Sequence, residues 1–442
     1  MSSWSGGDAG SVAVPCEVPV ARHLLPDSAA TTAKGRLEVG GVDLESLAAE
    51  FGTPLFVYDE ATLRARCRMV VRAFGPGSAY ATKAFLCRAM AKLAIEEGLR
   101  LDVSTGGELG VALSAGAAPD QIVFHGNNKS DAELEAVVGL GAARIVVDSF
   151  DEIDRLARLA DPRGVGSGQR ILVRVNPGIE AHTHEFIATG QEDSKFGFSL
   201  ASGAAEKALD ALRGLRGVEV VGVHAHIGSQ IMRPESFARV AEVLAPVVAA
   251  RGLAELCVGG GLGVAYLSDE KAPTIEEWAD AVHAECARAG LTPGVKVTAE
   301  PGRAVVATAA VTCYRVGTVK ELPGIRNYVA VDGGMSDNPR PVLYGSGYEA
   351  FLPRCVGADR PYAARIVGKH CESGDVVVAE ARLPRGVKVG DVLVTPVTGA
   401  YGFSMASNYN RVGRPAVVFV GDGRARVVVR RETVDDLLRL ES

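Results

Sequence analysis

Residues 220–228 read VVGVHAHIG, a run of β-branched and apolar residues that ends in two histidines and a glycine. Alternation along a strand places His224 and His226 on the same side. Seven further segments are short apolar runs of this kind, beginning near Ser78, Leu99, Gln121, Arg144, Arg170, Leu256 and Val295. Stretches with apolar residues at helical spacing lie between them, so the alternation predicts a closed (β/α)8 barrel.

Each predicted strand ends on a residue or run capable of chemistry, in the order Lys83, Asp102, His125, Asp148, Asn176, His226, Gly259–Gly261 and Glu300. A barrel brings all eight carboxyl ends to one mouth, where the active sites of this fold lie. The widest interval separates the fifth and sixth strands and contains Glu180–Phe198. That interval is too long for a plain connection, so we predict a functional loop there.

The pattern changes after Arg303. Seven segments then read as strands with turn residues between them: Ala304–Lys320, Tyr328–Asp332, Ala364–Lys369, Asp375–Glu380, Asp391–Val397, Ala416–Val420 and Arg424–Arg430. They predict an all-β domain. We divide the chain into a flexible arm (1–20), a segment that packs on the β-domain (21–50, with a strand pattern at Arg36–Val42), the barrel (51–308) and the β-domain (309–442).

The composition narrows the function classes. A formal net charge of −6 over 442 residues argues against a general nucleic-acid binder, and no apolar run approaches the roughly 20 residues that span a bilayer. The N-terminus has no basic stretch followed by an apolar one, so we expect no secretory signal. The eight cysteines include no CxxC pair, which disfavours zinc and redox motifs and fits a reducing cytoplasm.

Lysine and glycine residues at the strand ends point to a phosphate-bearing cofactor. Lys83 ends an apolar strand (AYATKA), where poor solvation would lower its pKa and favour Schiff-base chemistry; a surface lysine is the alternative. Gly259–Gly263 (GGGLG) follows the seventh strand without the GxGxxG spacing of a dinucleotide site, and could equally be a plain turn. The eighth strand ends in Glu300–Arg303 (EPGR). Loops after strands seven and eight are where barrels hold phosphate.

The HxH pair, His224 and His226, leaves two roles open. Such a pair can bind a metal, as in barrel hydrolases, but Asp and Glu are sparse beside it, and we favour stacking or hydrogen bonding by His226. A glycine-bound phosphate, a strand-end lysine and the strand-end carboxylate of Glu300 together suggest pyridoxal 5'-phosphate (PLP). The carboxylate can keep the pyridine nitrogen protonated; pairing with Arg303 is its structural alternative.

Three motifs lie in the predicted β-domain. Residues 368–375 read GKHCESGD, in which Cys371 is either a proton donor or a buried small hydrophobe. Residues 332–341 read DGGMSDNPRP, and residues 399–410 read GAYGFSMASNYN. Both of these runs carry more functional groups than connecting loops need, so we expect site elements there.

Taken together, the motifs YATKAF, LDVSTGGEL, VHAHIGSQ, GGGLG, EPGR, DGGMSDNPRP, CESGD and GAYGFSMASNYN resemble the fold-type III PLP decarboxylases, and among them the diaminopimelate decarboxylase family. The resemblance extends from about Pro54 to Arg414. It implies a PLP-binding barrel, a C-terminal β-sandwich and a homodimer in which Cys371 and Glu372 complete the partner's site. It implies no metal.

The resemblance also implies roles for individual residues. Lys83 would be the Schiff-base lysine, His226 would stack on the cofactor ring, Glu300 would pair with the pyridine nitrogen, and Cys371 would donate a proton. The remaining cofactor contacts would be Asp102, Ser229, Gly260, Gly261, Gly302, Arg303 and Tyr401. The substrate's distal carboxylate would meet Arg303, Arg340 and Tyr344, and its distal ammonium Glu372. Tyr401 would also contact the substrate.

The resemblance implies decarboxylation of meso-2,6-diaminopimelate to L-lysine, because a decarboxylase that makes a simple diamine has no use for Arg340. Three alternatives stay open. One is a related decarboxylase acting on D-ornithine, lysine or a carboxy-polyamine. Another is an isomerase similar to alanine racemase, although no two-base pattern is evident. The last is a non-catalytic PLP carrier, although Lys83 and Cys371 are both present.

Overall fold

A computed structural model describes residues 20–160, 168–179 and 194–442. The helices of this part of the chain are α1 Leu44–Phe51, α2 Glu60–Phe74, α3 Arg88–Glu96, α4 Gly106–Ser114, α5 Asp131–Gly139, α6 Phe150–Ala160, α7 Ala204–Arg213, α8 Pro234–Ala250, α9 Ile275–Arg288, α10 Arg303–Val306, α11 Arg340–Tyr344 and α12 Val434–Leu438. None of them is long and apolar enough to cross a bilayer. The predicted arm, apart from residue 20, and residues 180–193 of the predicted loop lie outside the described residues.

The strands of the described residues are β1 Ala30–Thr31, β2 Leu37–Val39, β3 Val42–Asp43, β4 Leu55–Asp59, β5 Ala79–Ala81, β6 Arg100–Val103, β7 Ile122–Phe124, β8 Arg144–Val147, β9 Gln169–Asn176, β10 Phe198–Ser199, β11 Val218–His224, β12 Glu255–Cys257, β13 Lys296–Thr298, β14 Ala310–Leu322, β15 Arg326–Val331, β16 Tyr362–Val367, β17 Val376–Leu383, β18 Val392–Pro396, β19 Ala416–Gly421 and β20 Arg424–Val429.

Eight parallel strands form the predicted barrel, in the spatial order β5-β6-β7-β8-β9-β11-β12-β13. Two backbone hydrogen bonds join its ends, from Ala79 N to Ala299 O (3.0 Å) and from Ala81 N to Pro301 O (3.1 Å). Inside, a small buried cluster takes one residue from each of six strands: Ala79, Val123, Val146, Leu172, Val221 and Cys257. The interior is therefore packed, and the barrel prediction is confirmed.

Helix starts are fixed by capping side chains close to the mouth of the barrel. Thr105 caps α4, and Ser130 forms a capping box with Glu133 at the start of α5. Glu133 also accepts a hydrogen bond from Gly106 N at 2.7 Å, which ties the two helix starts together. Each cap satisfies backbone donors that lack partners within the helix, so these loop ends are well fixed beside the strand ends.

The second sheet has the order β17-β16-β15-β14-β4-β19-β20, with β18 also pairing with β14. Strand β4 pairs antiparallel with β14 and parallel with β19, and all five of its residues are buried. It lies within the range predicted to be barrel, yet it belongs to the second sheet. A short apolar run such as LFVYD has the same pattern in either sheet, so the sequence did not separate the two. The start of Ala304–Lys320 was also wrong as a strand, because Arg303–Val306 is helical.

The N-terminal segment forms a small sheet of its own. The strand predicted at Arg36–Val42 is a hairpin of β2 and β3, which turns at Gly40–Gly41 and pairs with β1. Gly423 N, in the turn between β19 and β20, donates a hydrogen bond to Gly40 O at 2.8 Å. The segment thus contacts the second sheet without adding a strand to it.

A buried ion pair crosses the barrel at the end opposite the mouth. Arg144, the first residue of β8, donates from Nη2 to Glu255 Oε2, the first residue of β12, at 2.9 Å. Both side chains are almost fully buried. Removal of one partner would leave the other charge uncompensated in the interior.

We therefore expect Glu255→Ala to lower the free energy of unfolding by roughly 3–5 kcal/mol in urea denaturation. The control is Glu219→Ala, since Glu219 is exposed and lies 4.0 Å from Arg170; it should change stability by less than about 0.5 kcal/mol. The double variant Arg144→Met/Glu255→Met should recover most of the loss. Equal stability of the Glu255→Ala variant and the wild type would contradict this account.

Candidate active site

A cavity of about 410 Å³ opens at the carboxyl ends of the barrel strands. Its lining includes most of the strand-end residues singled out in the sequence: Lys83, Asp102, His125, His226, Gly260, Gly261 and Glu300. Ala81, Ser104, Gly126, Asn127, Arg174, Phe196, His224, Ser229, Gly302, Arg303 and Tyr401 complete it. Asp148 and Asn176 do not line this cavity; Asp148 lies behind Arg174 and accepts its hydrogen bond at 3.4 Å.

Two histidines hold the buried carboxylate of Glu300. His125 Nε2 lies 3.1 Å from Oε1, and His224 Nε2 lies 2.9 Å from Oε2. Burial raises the pKa of Glu300, but the charges and hydrogen bonds of the two histidines outweigh burial and hold it well below its usual range. Glu300 is therefore a fixed negative charge in the cavity.

The two histidines of the HxH pair line the same cavity, as alternation predicted, but they have different partners. His224 contacts Glu300, whereas His226 Nδ1 accepts a hydrogen bond from Gly260 N at 3.3 Å. Side-chain atoms of His125, His224 and Glu300 lie within 4.8 Å of one another, as metal ligands would. However, His224 Nδ1 is buried and has no hydrogen-bond partner among the described residues. A metal-bound histidine almost always donates a hydrogen bond from that second nitrogen. The cluster thus fits a hydrogen-bonded carboxylate better.

The side chain of Lys83 lies in the cavity. Residues of the cavity wall surround it, but the opening of the cavity leaves it accessible to solvent. Burial lowers the pKa of the Lys83 amine. The negative charge of Asp102 and the nearby Tyr401 raise this pKa by more than burial lowers it, so the net shift is upward. The expectation of a lowered pKa was therefore wrong. A hydrophobic strand end predicts desolvation alone and says nothing about a carboxylate on the neighbouring strand.

Arg303 lies beside the glycine loop. Its Nη2 donates to Ser229 Oγ at 3.0 Å, its Nη1 donates to Tyr266 Oη, and its guanidinium lies 4.9 Å from the Tyr401 ring centre. Its Nε is buried and meets no hydrogen-bond acceptor in the part of the chain that the structure describes. Gly260 and Gly261 belong to the same region, and a Cβ at either would lie 2.0 Å from a backbone oxygen. Only glycine allows this close backbone approach.

A second cavity of about 260 Å³ adjoins the first and shares Ser229, Arg303 and Tyr401 with it. Gln230, Arg340, Tyr344, Ser346 and Met405 complete its lining. Arg303 is 6% exposed and Arg340 is 5% exposed. Among the residues that the structure describes, neither of them forms an ion pair with a carboxylate. Buried arginines without an acid are rare, so this pocket is prepared for an anionic group.

Known proteins are similar to this chain both in sequence and in architecture. The family model "Pyridoxal-dependent decarboxylase, pyridoxal binding domain" matches residues 60–307, more than half of the chain. The chain is 47% identical to the diaminopimelate decarboxylase of Mycobacterium tuberculosis (strain ATCC 25618 / H37Rv), covering 96% of this chain and 98% of the relative. It is 45% identical to that of Bacillus subtilis (strain 168), covering 92% and 95%.

The chain belongs to the diaminopimelate decarboxylase family. A crystal structure of the enzyme from M. jannaschii in complex with L-lysine superposes with a TM-score of 0.86 at 32% identity, covering 94% of this chain and 98% of that one. The barrel, the second sheet and the order of the sequence motifs are thus those of a family of PLP-dependent decarboxylases.

The residues of the first cavity fit the cofactor of this family. PLP carries an aldehyde, a pyridine nitrogen and a phosphate. The cavity offers an accessible amine on Lys83, a fixed carboxylate on Glu300, and the guanidinium of Arg303 beside the glycine loop, whose buried Nε has no acceptor within residues 20–160, 168–179 and 194–442. The donors match each part of the cofactor in chemical type.

Cys371 and Glu372 line neither cavity of the single chain. Cys371 is exposed, and Glu372 accepts a hydrogen bond from the hydroxyl of Tyr409. The fold of this chain therefore does not bring Cys371 and Glu372 into the cavity that its own Lys83 lines.

Arg174, which lines the first cavity, was missed in the sequence, as were Tyr266 and Tyr348, which contact the arginines of the second cavity. Arg174 precedes Asn176 by two positions on β9, so alternation could have placed it inward; its guanidinium lies 4.3 Å from the Phe196 ring centre. Phe196 belongs to the part of the predicted loop that is described, and Gly197 N next to it donates to Asp148 Oδ1 at 2.8 Å. Tyr266 and Tyr348 lie in loops whose sequence gives no local signal of function.

Asp102→Asn should shift cofactor loading to lower pH. Only the neutral amine attacks an aldehyde, so the rate at which PLP combines with cofactor-stripped protein rises with pH as Lys83 loses its proton. Removal of the Asp102 charge removes the main cause of the raised Lys83 pKa. The rate is followed by visible absorbance. Asp120→Asn, an exposed position, serves as the control. Identical pH profiles for Asp102→Asn and the wild type would show that the charge of Asp102 does not raise the pKa of Lys83.

Proposed function

We propose that this protein is a carboxy-lyase that converts meso-2,6-diaminopimelate to L-lysine and CO2, the last step of lysine biosynthesis, with PLP as cofactor. The choice of substrate rests on the two buried arginines, Arg303 and Arg340. They have no carboxylate partner among the described residues, and they lie at or beside the cavity of Lys83. Diaminopimelate has two amino-acid ends, so one carboxylate can react while the other is bound.

The first cavity would hold PLP, which supplies an electron sink for the pair of electrons left when the carboxylate departs. Lys83 would bind the aldehyde covalently, with Asp102 beside it. Glu300 would hold a proton on the ring nitrogen, because its carboxylate stays charged. His226 would stack on the ring. The phosphate would be bound by Ser229, Gly260, Gly261, Gly302, Arg303 and Tyr401.

The second cavity would bind the end of the substrate that does not react. Arg340 and Arg303 would contact the distal carboxylate, helped by Tyr344 and Tyr401, which line the same pocket. A substrate without that carboxylate would leave Arg340 buried without an anionic partner. Sites built around buried polar groups reject analogues that lack the partner, by roughly 10⁴-fold. This argument disfavours ornithine and lysine, whose one carboxylate is the group that would be lost.

Two residues would come from a second copy of the chain. Cys371 would donate the proton that replaces the lost carboxylate, and Glu372 would bind the distal ammonium. Both lie on the surface of the single chain, away from its own cavities. We therefore propose a homodimer in which each subunit completes the partner's site.

The decisive assay measures CO2 and L-lysine from meso-diaminopimelate with and without PLP. Arg340→Ala should lower kcat/KM by roughly 100-fold, since loss of one partner of a buried charge contact costs about 2–5 kcal/mol. The exposed Arg385→Ala provides a matched control and should behave as the wild type. Unchanged turnover by the Arg340→Ala variant would exclude the proposed distal site, and faster CO2 release from D-ornithine, lysine or a carboxy-polyamine would identify another decarboxylase.

Mixing of two inactive variants tests the shared site. Lys83→Ala cannot bind the cofactor aldehyde, and Cys371→Ala lacks the proton donor, so each homodimer should be almost inactive. Random exchange of subunits makes half of the dimers mixed, each with one intact site, and should restore about one quarter of the wild-type activity. If both residues acted within one chain, mixing would restore nothing.

A further inference from the structure

Two tyrosines contact Arg303 and Arg340, the arginines of the second cavity that have no carboxylate partner among the residues described. Tyr266 lies in the loop after β12, and its hydroxyl accepts a hydrogen bond from Arg303 Nη1. The face of the same ring lies 4.3 Å from the Arg340 guanidinium. Tyr266 is therefore a shared partner of both cations, one through its hydroxyl and the other through its ring.

Tyr348 holds Arg340 from the other side. Arg340 Nη1 donates to the Tyr348 hydroxyl at 2.8 Å, and the two tyrosine rings pack edge to face with their centres 5.3 Å apart. Both tyrosines are buried. Burial raises the pKa of Tyr348 to about 12, so its hydroxyl is neutral at physiological pH. Neither Tyr266 nor Tyr348 lines a cavity, so they act behind the arginines.

The tyrosine pair joins the two parts of the molecule. Tyr266 belongs to a loop at the mouth of the barrel, and Tyr348 follows α11, after the strands of the second sheet have begun. Ser268 N donates to Glu349 Oε1 at 2.7 Å, which ties the same two loops together one or two residues further on. The arginines are thus held at the junction by contacts from both sides.

The tyrosines that contact Arg303 and Arg340 are neutral, and this distinguishes them from the usual partners of a buried arginine. A buried arginine is usually paired with Asp or Glu, which neutralises it. A tyrosine hydroxyl satisfies a guanidinium donor, and a tyrosine ring attracts the cation through its electron-rich face, yet neither removes the positive charge. The charge then remains for a ligand.

We propose that Tyr266 and Tyr348 are positioning residues that set specificity, because they hold Arg303 and Arg340 in place without neutralising either cation. Arg340 then stays available for a ligand carboxylate, and Arg303 for the anionic groups bound in the two cavities that it lines. This inference rests on the proposed function for the identity of that carboxylate. It predicts that loss of either hydroxyl weakens binding only of ligands that carry the distal carboxylate.

The test compares L-lysine, which keeps that amino-acid end, with cadaverine, the same carbon chain without a carboxylate. Dissociation constants are measured by calorimetry on PLP-loaded protein for the wild type, Tyr348→Phe and Tyr266→Phe. Each variant should bind L-lysine roughly tenfold more weakly, as expected from one lost hydrogen bond to a charged group, and cadaverine as the wild type does. Likewise, KM for meso-diaminopimelate should rise about tenfold while kcat stays within about twofold.

Tyr362→Phe is the matched control, since Tyr362 lies on β16 and its hydroxyl bonds to the exposed Glu321. Equal weakening of L-lysine and cadaverine would show a general structural effect and overturn the proposal, as would unchanged L-lysine binding in both variants. A wild type that binds L-lysine but releases no CO2 from meso-diaminopimelate would refute the proposed function alone, because the binding comparison would still test the tyrosines.

Discussion

Closure of the barrel is the constraint on which the site depends. Lys83 follows the first barrel strand and Glu300 follows the last, and they share a cavity only because β5 and β13 are joined by backbone hydrogen bonds between Ala79 and Ala299 and between Ala81 and Pro301. Parallel strands then deliver every carboxyl end to the same mouth. The amine and the carboxylate are therefore positioned by the main chain rather than by contacts between their own side chains.

Charge is distributed unevenly around the mouth. Asp102 and Glu300 place negative charge beside Lys83 and the two histidines, whereas Arg303 and Arg340 place positive charge in the adjoining pocket without an acid of their own among the described residues. One cavity thus suits a protonated ring nitrogen and the other a carboxylate. The two cavities share Arg303, so its guanidinium can contact groups bound in either of them.

The sequence predicted the eight barrel strands and most of the cavity, because each apolar run ended on a functional residue and one topology gathers all such ends. It did not predict that β4 joins the second sheet, since a five-residue apolar strand has no pattern that distinguishes its partners. The raised Lys83 pKa was missed because it depends on Asp102, which comes close only after folding. Tyr266 and Tyr348 were missed for the same reason: their importance lies in what they contact.

These missed tyrosines bear on how the pocket balances stability against recognition. A carboxylate beside Arg340 would stabilise the protein without its ligand more than a hydroxyl does, but it would also compete with the substrate for the cation. Hydroxyl and ring contacts satisfy part of the guanidinium and leave its charge uncompensated, a cost that the ligand carboxylate can relieve on binding. Selectivity for an amino acid with a carboxylate at each end then follows from the uncompensated positive charge of Arg340 in the folded protein. Tyr266 and Tyr348 leave that charge uncompensated, and they lie behind the arginines that bind the ligand.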